Sequence, residues 1–240
     1  MLNTLVGTAA FVLVIGAVAP TSAGAASITF NTSDSQFDAG VDNQGWWSAT
    51  RSASDSNANY AVGDDVNGDV LRNFFTFDLA SLNLSNQTIV SATFEAVRYN
   101  YVGSQPNETI GFFDVSTDAV TLNNNAGTSA AIFNDLGSGA SYGSFVVPAY
   151  SSSTALLLSF TLNAAARADI AAGAGGFFSI GGSLQGSLNP DEALFGGSSS
   201  AGVQRLVLET APTAAVPEPA SMLLLGTGLL GLVARRHRRS

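Results

Sequence analysis

The side chains able to do chemistry in this sequence are carboxylates, hydroxyls, amides and aromatic rings. There is no cysteine, and the one histidine, His237, stands among the terminal arginines. All nine basic residues are arginine. A Ser-His-Asp triad, a Cys-His pair, a histidine- or thiolate-bound metal and a Schiff-base lysine are therefore excluded from the body of the chain. Three constellations remain. Asp65, Asn67 and Asp69 have the 1-3-5 spacing by which a calcium loop turns hard oxygens onto one ion. Val70 stands where such a loop needs glycine and Thr76 where it needs glutamate, so the run reads equally as a polar hairpin loop turning at Asn67-Gly68. The cofactor expectation is none, with a structural Ca²⁺ at this loop as the alternative.

Trp46 and Trp47, with Tyr60, carry flat apolar faces of the kind that stack on a pyranose. Adjacent strand residues point to opposite faces. One Trp is thus expected in the core and the other exposed or under a loop; the alternative is packing for both. Paired carboxylates would suffice for glycoside hydrolysis without histidine. Glu95, Glu108, Glu192 and Glu209 are the only glutamates before the tail, and nothing in their sequence setting marks a pair.

The elements that must position these groups are strands. Short apolar runs, set apart by Gly, Ser, Asn and Thr, are the pattern of an all-β protein. Ten strands are expected: Ile28–Asn31, Trp46–Thr50, Tyr60–Val62, Leu71–Leu79, Ile89–Tyr101, Thr109–Ser116, Ser144–Val147, Ala155–Leu162, Phe177–Gly182 and Gln204–Glu209. In the fourth, Phe75, Phe77 and Leu79 share one face by the period of two. A single short helix is expected at 164–172, alanine-dense, with Asn163 as N-cap and Gly173 as its stop. The fold-class expectation is a jelly-roll-like β-sandwich with one inserted helix, plus a signal helix and a hydrophobic helix at the two ends.

Those ends read as addresses. Leu5–Val18 is apolar and leads to Ala23-Gly24-Ala25-Ala26, the form of a secretory signal cut after Ala25 or Ala26. At the other end Pro217-Glu218-Pro219 precedes an apolar run, 222–233, and then Arg235, Arg236, Arg238 and Arg239. The prolines hold the chain extended around Glu218, and the arginines stop it with the C-terminal side in the cytoplasm. The run of about 12–15 residues spans roughly 20 Å as a helix, against about 30 Å of hydrocarbon. It suits a transient signal better than a permanent anchor. The organisation is thus 1–26 signal, 27–210 domain, 211–216 linker and 217–240 tail. Between the two addresses lie 5 arginines and 17 carboxylates, a formal charge of −12. Such a surface repels nucleic acid and anionic lipid.

Val216–Ser240, with its tripeptide at Pro217, Glu218 and Pro219, its apolar run and its arginines in that order, resembles the sorting signal of PEP-CTERM proteins of Gram-negative bacteria. The resemblance implies processing by a membrane exosortase, release to the envelope or extracellular matrix, and association with exopolysaccharide. The segment from Arg72 to Tyr99 resembles the central hairpin of jelly-roll modules of surface proteins, through Arg72, Phe77, Asp78, Leu79, Val90, Ser91, Ala92 and Phe94. The functional expectation is an exported, non-enzymatic surface or matrix protein, handled by signal peptidase and exosortase and inserted only transiently in the membrane. The alternative is a carbohydrate-binding module acting on extracellular polysaccharide, and a carboxylate-only glycosidase stands third.

Overall fold

The computed structural model describes residues 25–53, 58–65, 67–149, 155–186, 192–195 and 202–213. The expected signal helix and the whole sorting tail, Val216 to Arg239 included, lie outside these residues. The strands are β1 (Ala26–Asn31), β2 (Gln44–Trp47), β3 (Val62–Asp64), β4 (Val70–Asp78), β5 (Gln87–Arg98), β6 (Tyr101–Val102), β7 (Asn107–Asp114), β8 (Ser141–Pro148), β9 (Leu156–Thr161), β10 (Phe177–Leu184), β11 (Ala193–Leu194) and β12 (Arg205–Pro212). The protein is all-β. All ten expected strands are present with shifted ends, and the two-residue strands β6 and β11 are additions. β1 begins at Ala26, beside the expected signal cut, and β12 runs through Pro212 into the stretch expected to be linker.

Two antiparallel sheets face one another. One has the order β1-β12-β5-β9; the other runs β6-β11-β3-β4-β10-β7-β8, with β2 also on β4. Numbered along the chain, the eight long strands fall as 1-8-3-6 in one sheet and 2-7-4-5 in the other. The core between them is aromatic. Phe94 of β5 meets Phe75 of β4 with ring centroids 4.6 Å apart, Phe112 of β7 at 5.2 Å and Phe160 of β9 at 6.0 Å. Each fully buried ring contributes roughly 1.5–3 kcal/mol by burial, and Phe94 stands where several of these rings meet.

That contact corrects the hairpin expectation. β4 and β5 do not pair: β4 bonds to β10, β2 and β3, while β5 bonds to β12 and β9. The connection after Leu79 crosses from one sheet to the other, and the inward faces of both strands then meet across the core. Each strand has an apolar face to bury, and a flat hairpin would leave both faces needing a cover.

The helix expectation also needs correcting. The alanine-dense helix is present as α3 (Ala164–Ala172), its Asn163 side chain accepting from the Ala165 and Ala166 amides. Two shorter helices precede it, α1 (Ala119–Asn123) and α2 (Ala130–Asp135). Each has its own cap: Asp118 accepts from the Thr121 amide and Ser129 from the Ile132 amide. Helices this short do not stand alone. They are held by burying Leu122, Ile132 and Leu136 against Phe74 and Trp47 on the outer face of the larger sheet. Both faces of β4 are covered as a result, Phe75 and Phe77 by the main core and Phe74 by this second one.

Candidate functional site

The aromatic trio does not form an open platform. Trp46 and Trp47 leave β2 on opposite faces, as alternation requires, but both are buried, at 7% and 4% exposure. Trp47 packs with Phe74 and the short helices, and its indole nitrogen donates to the Leu122 carbonyl at 3.0 Å. Trp46 packs with Ala53, Ala61 and Leu71. Its ring is capped by the Arg51 guanidinium, 5.3 Å from the centroid. Tyr60 is fully buried, and its hydroxyl donates to the Val97 carbonyl at 2.7 Å. Burial first, and the neighbouring Tyr99 second, hold this phenol neutral far above its ordinary range. Both Trp side chains are packing residues, the second of the two readings: loops and helices outside the two sheets cover what the strand alone would expose.

The acidic run is a hairpin loop between β3 and β4. The Gly68 amide donates to the Asp65 carbonyl at 2.8 Å, with Gly68 at φ +79°, the left-handed conformation glycine adopts without strain. The Asp65 carboxylate accepts from the Asn67 and Asp69 amides at 2.8 and 3.1 Å, and it pairs with Arg51. Asp69 accepts from the Thr50 hydroxyl at 2.8 Å. Among the described residues no group of three or more His, Cys, Asp or Glu side chains converges in a way that could hold a metal. Arg51 links two of the expected sites, since it covers Trp46 while neutralising Asp65.

An open cleft lies elsewhere, between the β1–β2 loop and the end of α1. Its mouth is lined by Phe37, Asp38, Val120, Asn123 and Asn124, and it encloses about 280 Å³. A separate hollow of about 10 Å³ shares Phe37, Asp38 and Asn123 with it and is lined further by Val41, Asp42, Asn43, Gln44 and Asn125. The loop is held in shape from within. Asn43, 2% exposed, donates to the carbonyls of Asp34 and Ser35 and accepts from the Phe37 amide at 3.0 Å. The Val41 amide closes a turn onto the Asp38 carbonyl at 3.0 Å, with Gly40 at φ +83° in its third position. Phe37 is backed by Phe177, ring centroids 4.8 Å apart. Burial pushes the Asp42 carboxyl up, against a hydrogen bond from the Gln36 amide. No periodicity marks Phe37 or Asn123–Asn125 in the sequence, so this cleft is visible only once the chain is folded.

The structure also brings two glutamates together. Glu108 at the start of β7 and Glu192 before β11 are 8% and 2% exposed. A Cβ placed on Gly103 would lie 3.5 Å from Glu108 Oε1 and 3.5 Å from Glu192 Cγ. Glu108 Oε1 is buried with no hydrogen-bond partner. The neighbouring Tyr101 hydroxyl donates to the Gln105 carbonyl at 2.7 Å. Burial first, and the Glu192 carboxylate second, push the Glu108 carboxyl above its ordinary range. The two carboxyls are close, but side chains this buried do not flank a groove that a glycosidic bond could enter.

Residues 215–239 match the PEP-CTERM protein-sorting motif. No curated protein matches the chain. Among the described residues no helix is long and apolar enough to cross a membrane; the expected segment at 222–233 lies outside them. The motif marks the chain for exosortase-dependent sorting as an extracellular or cell-surface protein.

Proposed function

We propose that this protein is a non-enzymatic component of the cell surface or extracellular matrix, associated with exopolysaccharide or biofilm. The observation that carries the reading is the sorting motif at 215–239 on a body with no histidine, cysteine or lysine. The sequence of events follows from the two ends. Signal peptidase cuts after Ala25 or Ala26, and the apolar run enters the inner membrane. Arg235, Arg236, Arg238 and Arg239 hold its end in the cytoplasm, and exosortase acts near Pro217–Pro219. The released body needs no cofactor; a structural Ca²⁺ at Asp65–Asp69 would have to displace Arg51 and the loop amides. The strand order 1-8-3-6 over 2-7-4-5 supports reading that body as a jelly-roll β-sandwich. Its charge of −12 argues against nucleic acid as a partner.

The test is fractionation after Pro217-Glu218-Pro219 is replaced by three alanines. The reading expects the natural protein in the matrix fraction and the variant held in the membrane fraction. Natural protein found only in the inner membrane would overturn it. A second reading, carbohydrate binding, is favoured by one observation: the cleft at Phe37 is open, polar and backed by an aromatic pair.

A further inference from the structure

Resting on that second reading, we propose that the cleft between the β1–β2 loop and α1 binds an uncharged sugar unit, stacked on Phe37 and hydrogen-bonded by Asp38 and Asn124. Three observations carry it. The first is the aromatic surface. Phe177 does not line the cleft, yet packs against Phe37 and is 41% exposed, so the Phe37 ring is supported from outside the cleft. Val120, 64% exposed, adds an apolar edge at the mouth.

The second is the set of polar groups left to spend. Asn124 lines the cleft, is exposed, and caps α1 through its backbone N–H. Asn123 commits its amide nitrogen to the Ala119 carbonyl and the Thr76 hydroxyl, which leaves its oxygen as acceptor. Planar amides and a carboxylate beside an aromatic face are groups that meet the adjacent hydroxyls and the apolar face of a pyranose. The volume of about 280 Å³ falls just under the range usual for a ligand pocket, about 300–1,000 Å³. One sugar residue fits that space better than a long run of them.

The third is charge. The cleft lining holds Asp38 and no arginine. A uronate or sulfated sugar would meet that carboxylate inside a body of formal charge −12. The site therefore rejects acidic polysaccharide and takes a neutral one.

The experiment uses the exported protein as cells release it, titrated calorimetrically with a neutral β-glucan oligosaccharide, an N-acetylated hexosamine oligosaccharide and an oligouronate. The expected result is binding of at least one neutral probe, weakened about tenfold by Phe37→Ala, the loss of one stacked ring, and no heat with the oligouronate. Asn124→Ala, at an exposed side chain with no bond to lose, should weaken the same probe while leaving the melt unchanged, which keeps the site testable even where Phe37→Ala loosens its loop. Asp38→Asn, which weakens one acceptor of the neutral probe, should admit the oligouronate at low salt. Neutral binding that survives both Phe37→Ala and Asn124→Ala would overturn the site. Preferential oligouronate binding would overturn the ligand class while leaving carbohydrate binding standing. Heat from no probe would remove the carbohydrate reading and this inference together.

Discussion

Glu108→Gln should stabilise the domain at neutral pH and do nothing in acid. Glu108 is 8% exposed, its Oε1 has no donor, and Glu192 lies beside it. A buried polar oxygen left without a partner costs about 1–3 kcal/mol, and a neighbouring like charge adds to this. The amide of glutamine removes the charge at nearly constant volume and can donate toward Glu192. A gain of about 1–2 kcal/mol is expected near pH 7.5, or about 3–6 °C in midpoint for a domain of this size. The pH dependence fixes the cause. The native Glu108 carboxyl is raised above its ordinary 4.5, so the native state binds its proton more tightly than the unfolded chain does. Stability from this group is therefore greatest below the ordinary value and falls as pH climbs through the raised one. Wild type and variant should melt together near pH 4 and separate as pH rises. The assay is thermal or urea unfolding of both proteins across that range, read as the difference between them so that other carboxylates cancel. A gap that does not change with pH, or a variant less stable at neutral pH, would refute the reasoning.

Asp135→Asn should destabilise in the opposite window. Burial raises this carboxyl, but hydrogen bonds from the hydroxyls and amides of Ser116 and Thr117, at 2.6–3.3 Å, outweigh it and hold the pKa below its ordinary 3.8. Its contribution, about 1–2 kcal/mol for a half-exposed charged acceptor, is present above the ordinary value and lost as pH falls through the native one. Urea midpoints at neutral and acid pH check the direction. Gly181→Ala should cost about 1–3 kcal/mol, because its Cβ would stand 2.7 Å from the Leu136 carbonyl oxygen, which is backbone and cannot swing away; a melt within a degree of wild type would count against the packing of α2 on β10. Chelation with EDTA should leave the melting midpoint unchanged, since Asp65 is already satisfied by Arg51 and the loop amides; a drop restored by added Ca²⁺ would show an ion there.

The long strands were legible because alternation alone marks them: Phe75 and Phe77 lie in the core as the period of two requires. α3 was legible because its N-cap and alanine content are local. Which strands pair was not, and the β4–β5 hairpin was misplaced, because the sheet each strand joins depends on partners far along the chain. The short helices α1 and α2 draw their stability from Phe74 and Trp47, residues outside themselves. α1 both helps bury Trp47 and lines one side of the cleft, so the covered Trp47 and the unforeseen cleft share one cause. Glu108 and Glu192 become neighbours only in the fold, beside Gly103, although three strands separate β11 from β7 in the sheet order.

The processing of the two ends is what the extracellular role depends on, and intact-mass measurement of the native exported protein addresses it most directly. The predicted mass begins at Ala26 or Ser27, ends near Pro217–Pro219, and lacks Arg235 through Arg239. A mass that retains the terminal arginines, on protein extracted only from the inner membrane, would contradict it.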